Sequence, residues 1–356
     1  MSTRRAGPEL ERLLEEAAEA FDRGDLEAAL ESSRRACLAD PRSAEALHHR
    51  AAAQAELGRL AEARRDYERA LDLDPDDLQL LLGAADFHLR WLPEDEPDRT
   101  WLTRALELAR RGARRADRAG EPELAAEFAL LQASALRQLG DARGALERLG
   151  AAAGADPDDP EVSLERGLAL FELCRLEEAR AELERVVRDA PEEALAHHTL
   201  GLIAERRGDR REAERRLSRA TRLAPDEFPP PVGLPAEAFD AAVEEALRAM
   251  PEPVRGYLAN VAVAVEDIPA EADLLASDPP LSPSILGVFR GTPLGQKGSM
   301  DPWSHFPSSI VLYQRNLERV ARDRRELVEE IRATLLHEVG HFLGLDEEEL
   351  WQRGLD

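Results

Sequence analysis

Pro41, Pro75, Pro157, Pro191 and Pro225 each close a segment of one grammar, and apart from one longer gap they stand 34 residues apart. The segments read "GDLEAALESSRRACLADP", "GRLAEARRDYERALDLDP", "GDARGALERLGAAAGADP", "CRLEEARAELERVVRDAP" and "GDRREAERRLSRATRLAP". A fixed period of this length constrains the fold more than any single residue does. One unit cannot bury its apolar face alone, so successive units must stack. The spacing predicts two antiparallel helices per unit. Ala51, Ala133, Gly167 and Gly201 of the first helix face Ala63, Ala145, Ala179 and Ala213 of the second, which lets the backbones approach closely. Gly24, Gly58, Gly140 and Gly208 make the turn between them, and the proline ends the second helix.

The 34-residue period is similar to that of the tetratricopeptide family. The resemblance runs over residues 8–227 as about six repeats, the third degenerate and lengthened by an insertion around "WLPEDEPDRTW". It implies an all-α solenoid whose concave face receives a protein or peptide. The positions that such a face draws on include Glu11, Leu14, Glu45, His48, Glu161, Leu164 and His198. The lysine clamp of the family's chaperone-binding members is missing, because Lys297 is the chain's single lysine. An acidic, partly apolar groove suits a basic or amphipathic peptide; the plainer alternative is a solvated helix surface. His48 with His49, and His197 with His198, are adjacent on helices and should point apart, so neither pair chelates one ion.

Composition narrows the partners. Hydrophobic residues make up 43% and aromatics 4%, so the cores must be built from Ala, Leu and Val. A formal net charge of -25, with arginines interspersed among acids at helical spacing, argues against a nucleic-acid surface, and no basic face is visible along the chain. No run of about 18 apolar residues offers a membrane span. The opening "MSTRRAGPEL" has no apolar stretch behind it to act as a secretory signal. Cys37 and Cys174 lack metal or redox spacing and read as packing thiols in a reducing cytoplasm.

After Pro225 the grammar changes. Residues 228–235, "FPPPVGLP", read as a Pro-rich linker that few contacts protect, and a second domain is expected over 236–356. "PAEAFDAAVEEALRAM" is amphipathic with helical period, and "YLANVAVAVED" alternates as a strand. "ILGVFRG" and "SSIVLYQ" are two further short strands, separated by the Gly- and Pro-dense "TPLGQKGSMDPWSHFP". A last long helix is predicted from about Arg325 through Phe342.

That helix carries "LLHEVGHFLGLDEEE". His337 and His341 are one turn apart, so both imidazoles leave the same face and can grip one ion, while Glu338 is placed to hydrogen-bond a water on it. Two neutral histidines leave a zinc ion most of its charge, so bound water can ionise near neutrality and the carboxylate can take its proton. The bland reading is two ordinary histidines on a helix. Gly344, at the right distance to end the helix in a left-handed conformation, and the acids Asp346 to Glu349 favour the metal.

"FDAAVEEAL", "LANVAVAVEDIP", "ILGVFRGTPL", "SSIVLYQRNLER" and "TLLHEVGHFLGLDEEEL", in this order, resemble the minimal zincins, a family of short metallopeptidases of the Zincin_1 type. The resemblance spans about residues 236–356. It implies a small α+β fold with a short sheet packed on the metal helix, and one zinc per chain held by H-E-x-x-H-x-x-G-x-x-D. Glu347 stands where that pattern has Asp, which makes it the implied third ligand; Asp346 is the alternative. "DEEEL" also reads as the start of a short helix, with Asp346 as N-cap and Glu349 as its capping-box partner, which would occupy those two carboxylates. Met300 lies upstream of the site, so the chain is not a metzincin.

A zincin also needs a group for the tetrahedral oxyanion, and His305, Tyr313 and Arg332 are candidates among which the sequence does not choose. The reading is a cytoplasmic zinc-dependent peptidase whose repeats recruit a substrate or regulator. Its rival is a repeat scaffold fused to a zincin domain that holds metal but no longer cuts.

Overall fold

The structure, a computed structural model, describes residues 7–91, 98–152, 159–258, 261–294 and 308–353. His305, and most of the insertion after Trp91, lie outside these residues. Two compact units, Met1–Ala169 and Leu170–Asp356, divide the chain.

The first unit is helical throughout its described residues: α1 (Pro8–Asp22), α2 (Leu26–Ala39), α3 (Ala44–Glu56), α4 (Leu60–Leu73), α5 (Leu78–Arg90), α6 (Asp98–Ala119), α7 (Pro122–Gln138), α8 (Ala142–Ala152) and most of α9 (Pro160–Glu172). Consecutive helices pair as repeats, α1 with α2, α3 with α4, α5 with α6 and α7 with α8. Ala51, Ala63, Ala133 and Ala145 are fully buried at the helix crossings. Gly24, Gly58 and Gly140 take φ of 75°, 71° and 86°, the left-handed turn that the period requires of them. The degenerate third repeat is α5 with α6, and α6 has grown to 22 residues.

The second unit opens with more repeat helices, α10 (Leu176–Asp189), α11 (Ala194–Arg206) and α12 (Arg210–Leu223). Gly208 turns α11 into α12 at φ 78°. The equivalent turn before α10 is made by Cys174 at φ 57°, where a side chain costs roughly 1 kcal/mol. Its Sγ lies 3.4 Å from the Leu281 carbonyl oxygen, so the thiol that strains the turn also reaches the C-terminal region.

There α13 (Ala236–Ala249) and α14 (Glu252–Leu258) precede β1 (Ala262–Glu266), α15 (Glu271–Leu274), β2 (Gly287–Arg290) and β3 (Ser309–Tyr313). Then come α16 (Gln314–Val320), α17 (Arg324–Leu343) and α18 (Glu347–Gln352). The sheet order is β1-β3-β2. β1 runs parallel to β3 with Val263 opposite Ile310; β2 runs antiparallel with Phe289 opposite Ile310. The central strand β3 is buried at Ile310 through Tyr313. Ile310 and Leu312 form one core with Phe239, Val243, Leu327, Ile331 and Leu335, which clamps α13 and α17 on one face of the sheet. Among the described residues no helix is long and apolar enough to cross a membrane.

The units part within α9 and not at the Pro-rich stretch, and the reason is visible in the second unit. Glu205 of α11, 11% exposed, accepts from Arg315 Nη1 at 2.9 Å and from Arg319 Nη2 at 2.6 and 2.7 Å, both on α16. Arg206 donates to the Pro269 carbonyl at 2.9 Å. Residues 228–235 are a strap: Phe228 stacks on His198 at 4.5 Å, and the Val232 and Leu234 N–H groups donate to the Glu318 backbone and side chain at 3.1 and 2.8 Å. Prolines lack donors but suit an extended strap whose remaining donors are satisfied by α16. Glu205→Ala should therefore lower the unfolding free energy of this unit by about 3 kcal/mol, because it leaves the half-buried guanidinium of Arg319 uncompensated. Urea unfolding of the full chain measures it, and an unchanged midpoint would contradict the account.

Candidate metal centre

The C-terminus of α17 builds the site. Gly344 takes φ 92°, its N–H donates to the His341 carbonyl, and the Leu345 N–H donates to the Gly340 carbonyl, both at 3.0 Å. This Schellman turn reverses the chain and brings the Leu345 carbonyl to 3.2 Å from His341 Nδ1. With Nδ1–H donating there, the lone pair of His341 sits on Nε2, the tautomer a metal needs. His337 Nε2 is 3.1 Å from His341 Nε2. At that separation the two nitrogens share either a proton or a cation. Two nitrogens on one tetrahedral zinc stand about 3.3 Å apart, a spacing close to that of this pair.

Glu338, 6% exposed, faces β2, where Gly287 makes room for it. A Cβ on Gly287 would lie 3.4 Å from Glu338 Cγ and only 2.7 Å from Thr334 Cγ2. Phe289 lies over Phe342 with ring centroids 5.7 Å apart, so β2 runs along α17. His337 lies about 100° round the helix from Glu338.

α18 folds back over this end of α17. Leu350 is fully buried, and a Cβ on Gly340 would strike its Cδ2 at 2.1 Å, so glycine is what lets α18 pack one residue before His341. Asp346 caps α18: its Oδ1 accepts from the Glu349 N–H at 2.8 Å, and Glu349 Oε2 accepts from the Asp346 N–H at 3.1 Å. The capping box forms as the sequence predicts, and it engages both carboxylates. Glu347 opens α18, but its side chain lies outside the described residues, and among those no group of three His, Cys, Asp or Glu is placed to hold a metal.

The other candidates are scattered. Tyr313 is fully buried, with its hydroxyl 3.5 Å from Asp273 Oδ2. Burial, and then the Asp273 carboxylate, push its pKa up to about 12. Arg290 pairs with Glu266 and Asp273 in the same cluster, which ties β2 to β1 and α15. Arg332 is exposed and about 140° round α17 from His337. Of the groove positions, Glu45 and Glu161 are exposed and Leu164 half-buried in the first unit. His48 packs there against Tyr67 at 5.9 Å, and burial pushes its pKa down to about 4. His48 and His49, expected to point apart, stack with centroids 5.7 Å apart. His198 belongs to the second unit; burial, and then Arg319, hold its pKa at about 4.

Residues 258–355 match the zincin-like metallopeptidase family, and residues 44–77 and 136–205 match tetratricopeptide repeat families. The chain thus joins tetratricopeptide repeats to a zincin-like domain. Among solved structures it is similar to PilW, described as a widely conserved type IV pilus biogenesis factor, at TM-score 0.52 and 16% identity over 62% of this chain and 96% of that one. A structure of pilF from Pseudomonas aeruginosa aligns at TM-score 0.49 and 18% identity, over 65% of this chain and 97% of that one. The PilW likeness is one of fold alone. No curated protein matches the chain.

Proposed function

We propose that this chain is a zinc-dependent metallopeptidase of the cytoplasm whose repeats recruit a protein substrate or regulator. The observation that carries the reading is the convergence of His337 Nε2 and His341 Nε2 at 3.1 Å, with His341 oriented by the Leu345 carbonyl. His337 and His341 would hold one zinc ion, with Glu347 as third ligand. Bound there, zinc would acidify a water and polarise a peptide carbonyl.

The remaining steps belong to the chain. The sheet order leaves the outer edge of β2 unpaired among the described residues, so an extended peptide can add to it as a further strand through main-chain hydrogen bonds. Such a strand lies beside the histidine face of α17. Glu338, buried against Gly287 and Thr334, takes the attacking water's proton on its carboxylate and passes it to the leaving amine nitrogen. The free thiols of Cys37 and Cys174 suit a reducing compartment.

The test is chelation and reconstitution. Peptide-library cleavage should vanish with a strong chelator and return with zinc. Glu347→Gln should weaken zinc binding by about 10-fold or more, whereas Asp346→Asn should cost roughly 0.5 kcal/mol or less of stability, since Asn also caps well. Zinc retention without cleavage of any library member would leave a metal-holding scaffold instead. Loss of metal from the Asp346 variant alone would move the third ligand to Asp346.

A further inference from the structure

Between α15 and β2 the chain forms no helix or strand over residues 275–286, and Pro279, Pro280 and Pro283 remove three backbone donors from it. Carbonyls in such a segment find no ladder, so side chains must meet those that are buried. Asn316 of α16, 7% exposed, does this twice. Its Nδ2 donates to the Pro283 carbonyl at 3.1 Å and to the Ile285 carbonyl at 2.8 Å. Its Oδ1 accepts from Arg319 Nη1 at 3.3 Å. The chemistry fixes the orientation of this amide, because the flipped one would set Oδ1 against two carbonyls and its N–H groups against a guanidinium.

Two routes lead away from the amide. Arg319, one turn further along α16, donates on to both oxygens of Glu205 on the repeat helix α11, at 2.6 and 2.7 Å, so Asn316 is steadied from the repeats. In the other direction Ile285 precedes Gly287 by two residues, about 7 Å of extended chain. The Leu286 carbonyl between them accepts from the Tyr313 N–H at 2.9 Å, where the pairing with β3 begins. Gly287 is the residue on which Thr334 and Glu338 pack. A Cβ there would stand 2.7 Å from Thr334 Cγ2 and 3.1 Å from the Val311 carbonyl oxygen, so β2 has little room to shift beneath α17.

We propose that Asn316 is a positioning residue: by holding the Pro283 and Ile285 carbonyls it sets where β2 begins, and so sets Gly287 against Glu338, with Arg319 and Glu205 steadying Asn316 in turn. The kinetic consequence rests on the peptidase reading; the effect on β2 rests on the fold alone. A peptide added to the edge of β2 moves with the strand, whereas Glu338 and the histidines move with α17. A shift of β2 therefore misaligns the scissile bond from the groups that attack it, while the main-chain bonds that hold the peptide persist. Misplacement by about 1 Å can cost on the order of 100-fold in rate.

The test compares Asn316→Asp with the unaltered full chain. Aspartate keeps the size and still accepts from Arg319, but it has no N–H for the two carbonyls. In hydrogen exchange read by mass spectrometry, the amides of residues 285–290 should exchange about 10-fold or more faster relative to those of α13. In zinc-loaded protein kcat for peptide cleavage should fall about 10-fold or more, with KM and zinc affinity within about 2-fold of the unaltered chain. Leu183→Ala, in the fully buried core of α10, controls for lost stability: it should leave kcat unchanged and exchange at 285–290 no faster relative to α13. Asn316→Ser, with one donor, reads the same quantities should the aspartate variant not fold, and should show both effects reduced. Exchange at 285–290 that rises no more than at α13 would overturn the proposal. So would an undiminished kcat in Asn316→Asp, or a kcat loss matched by Leu183→Ala. Failure of the peptidase reading looks different: an unaltered chain that cleaves no peptide, while Asn316→Asp still loosens 285–290, removes the chemistry and supports the anchor.

Discussion

Glu338→Gln is expected to reduce kcat for peptide hydrolysis by about 10³-fold while zinc content and fold stay intact. The side chain is 6% exposed and its stem is held between Gly287 and Thr334, so an isosteric amide keeps the packing. What it loses is the ability to accept a proton and return it, a function worth roughly 10²–10⁴ in rate. A fall in kcat with KM little changed is the signature of a group that acts in the transition state. Undiminished turnover in this variant would mean that another residue, or a contaminating protease, does the chemistry.

His337→Ala and His341→Ala should each weaken zinc binding by about 100-fold or more. Each removes one of two nitrogens that converge at 3.1 Å and leaves too few ligands for a tight site. The two variants should differ in one respect. His341 is oriented by the Leu345 carbonyl across the Schellman turn, so Gly344→Ala, which strains a left-handed φ of 92°, should weaken zinc through misplacement of His341 with both rings present. Competition with a chromophoric chelator reads all three. Wild-type affinity in both histidine variants would remove the site from this helix.

The repeats were the most legible part of the chain because they announce themselves through backbone chemistry. Gly24, Gly58, Gly140 and Gly208 recur where a left-handed turn is needed, and their φ angles meet that need. β1 was legible from its alternation, β2 and β3 as two further short strands, and α17 as a last long helix from about Arg325 through Phe342. The capping box at Asp346 and Glu349 was legible too, because capping is local.

What the sequence hid is whatever depends on contacts between distant segments. Residues 228–235 look like a linker by composition, yet the Glu318 backbone and side chain hold the Val232 and Leu234 N–H groups, 84 residues away in the second case. Glu205 reads as one more solvated acid on a repeat helix, but it meets Arg319 114 residues later. The arginines of α12 look ion-paired within their own helix, as Arg216 is with Glu212, and only the fold brings Arg210 and Arg222 into the lining of one groove with Arg322. Cys174 stands in a glycine slot for no reason that spacing reveals; its contact with the Leu281 carbonyl supplies one.

The central claim is that His337 and His341 hold a zinc ion, and elemental analysis of the full chain tests it most directly. After loading with zinc and extensive desalting, inductively coupled plasma mass spectrometry should find one zinc per chain, and the His337→Ala, His341→Ala double variant should hold almost none. A wild-type chain that emerges metal-free, or a double variant that keeps its zinc, would contradict the account.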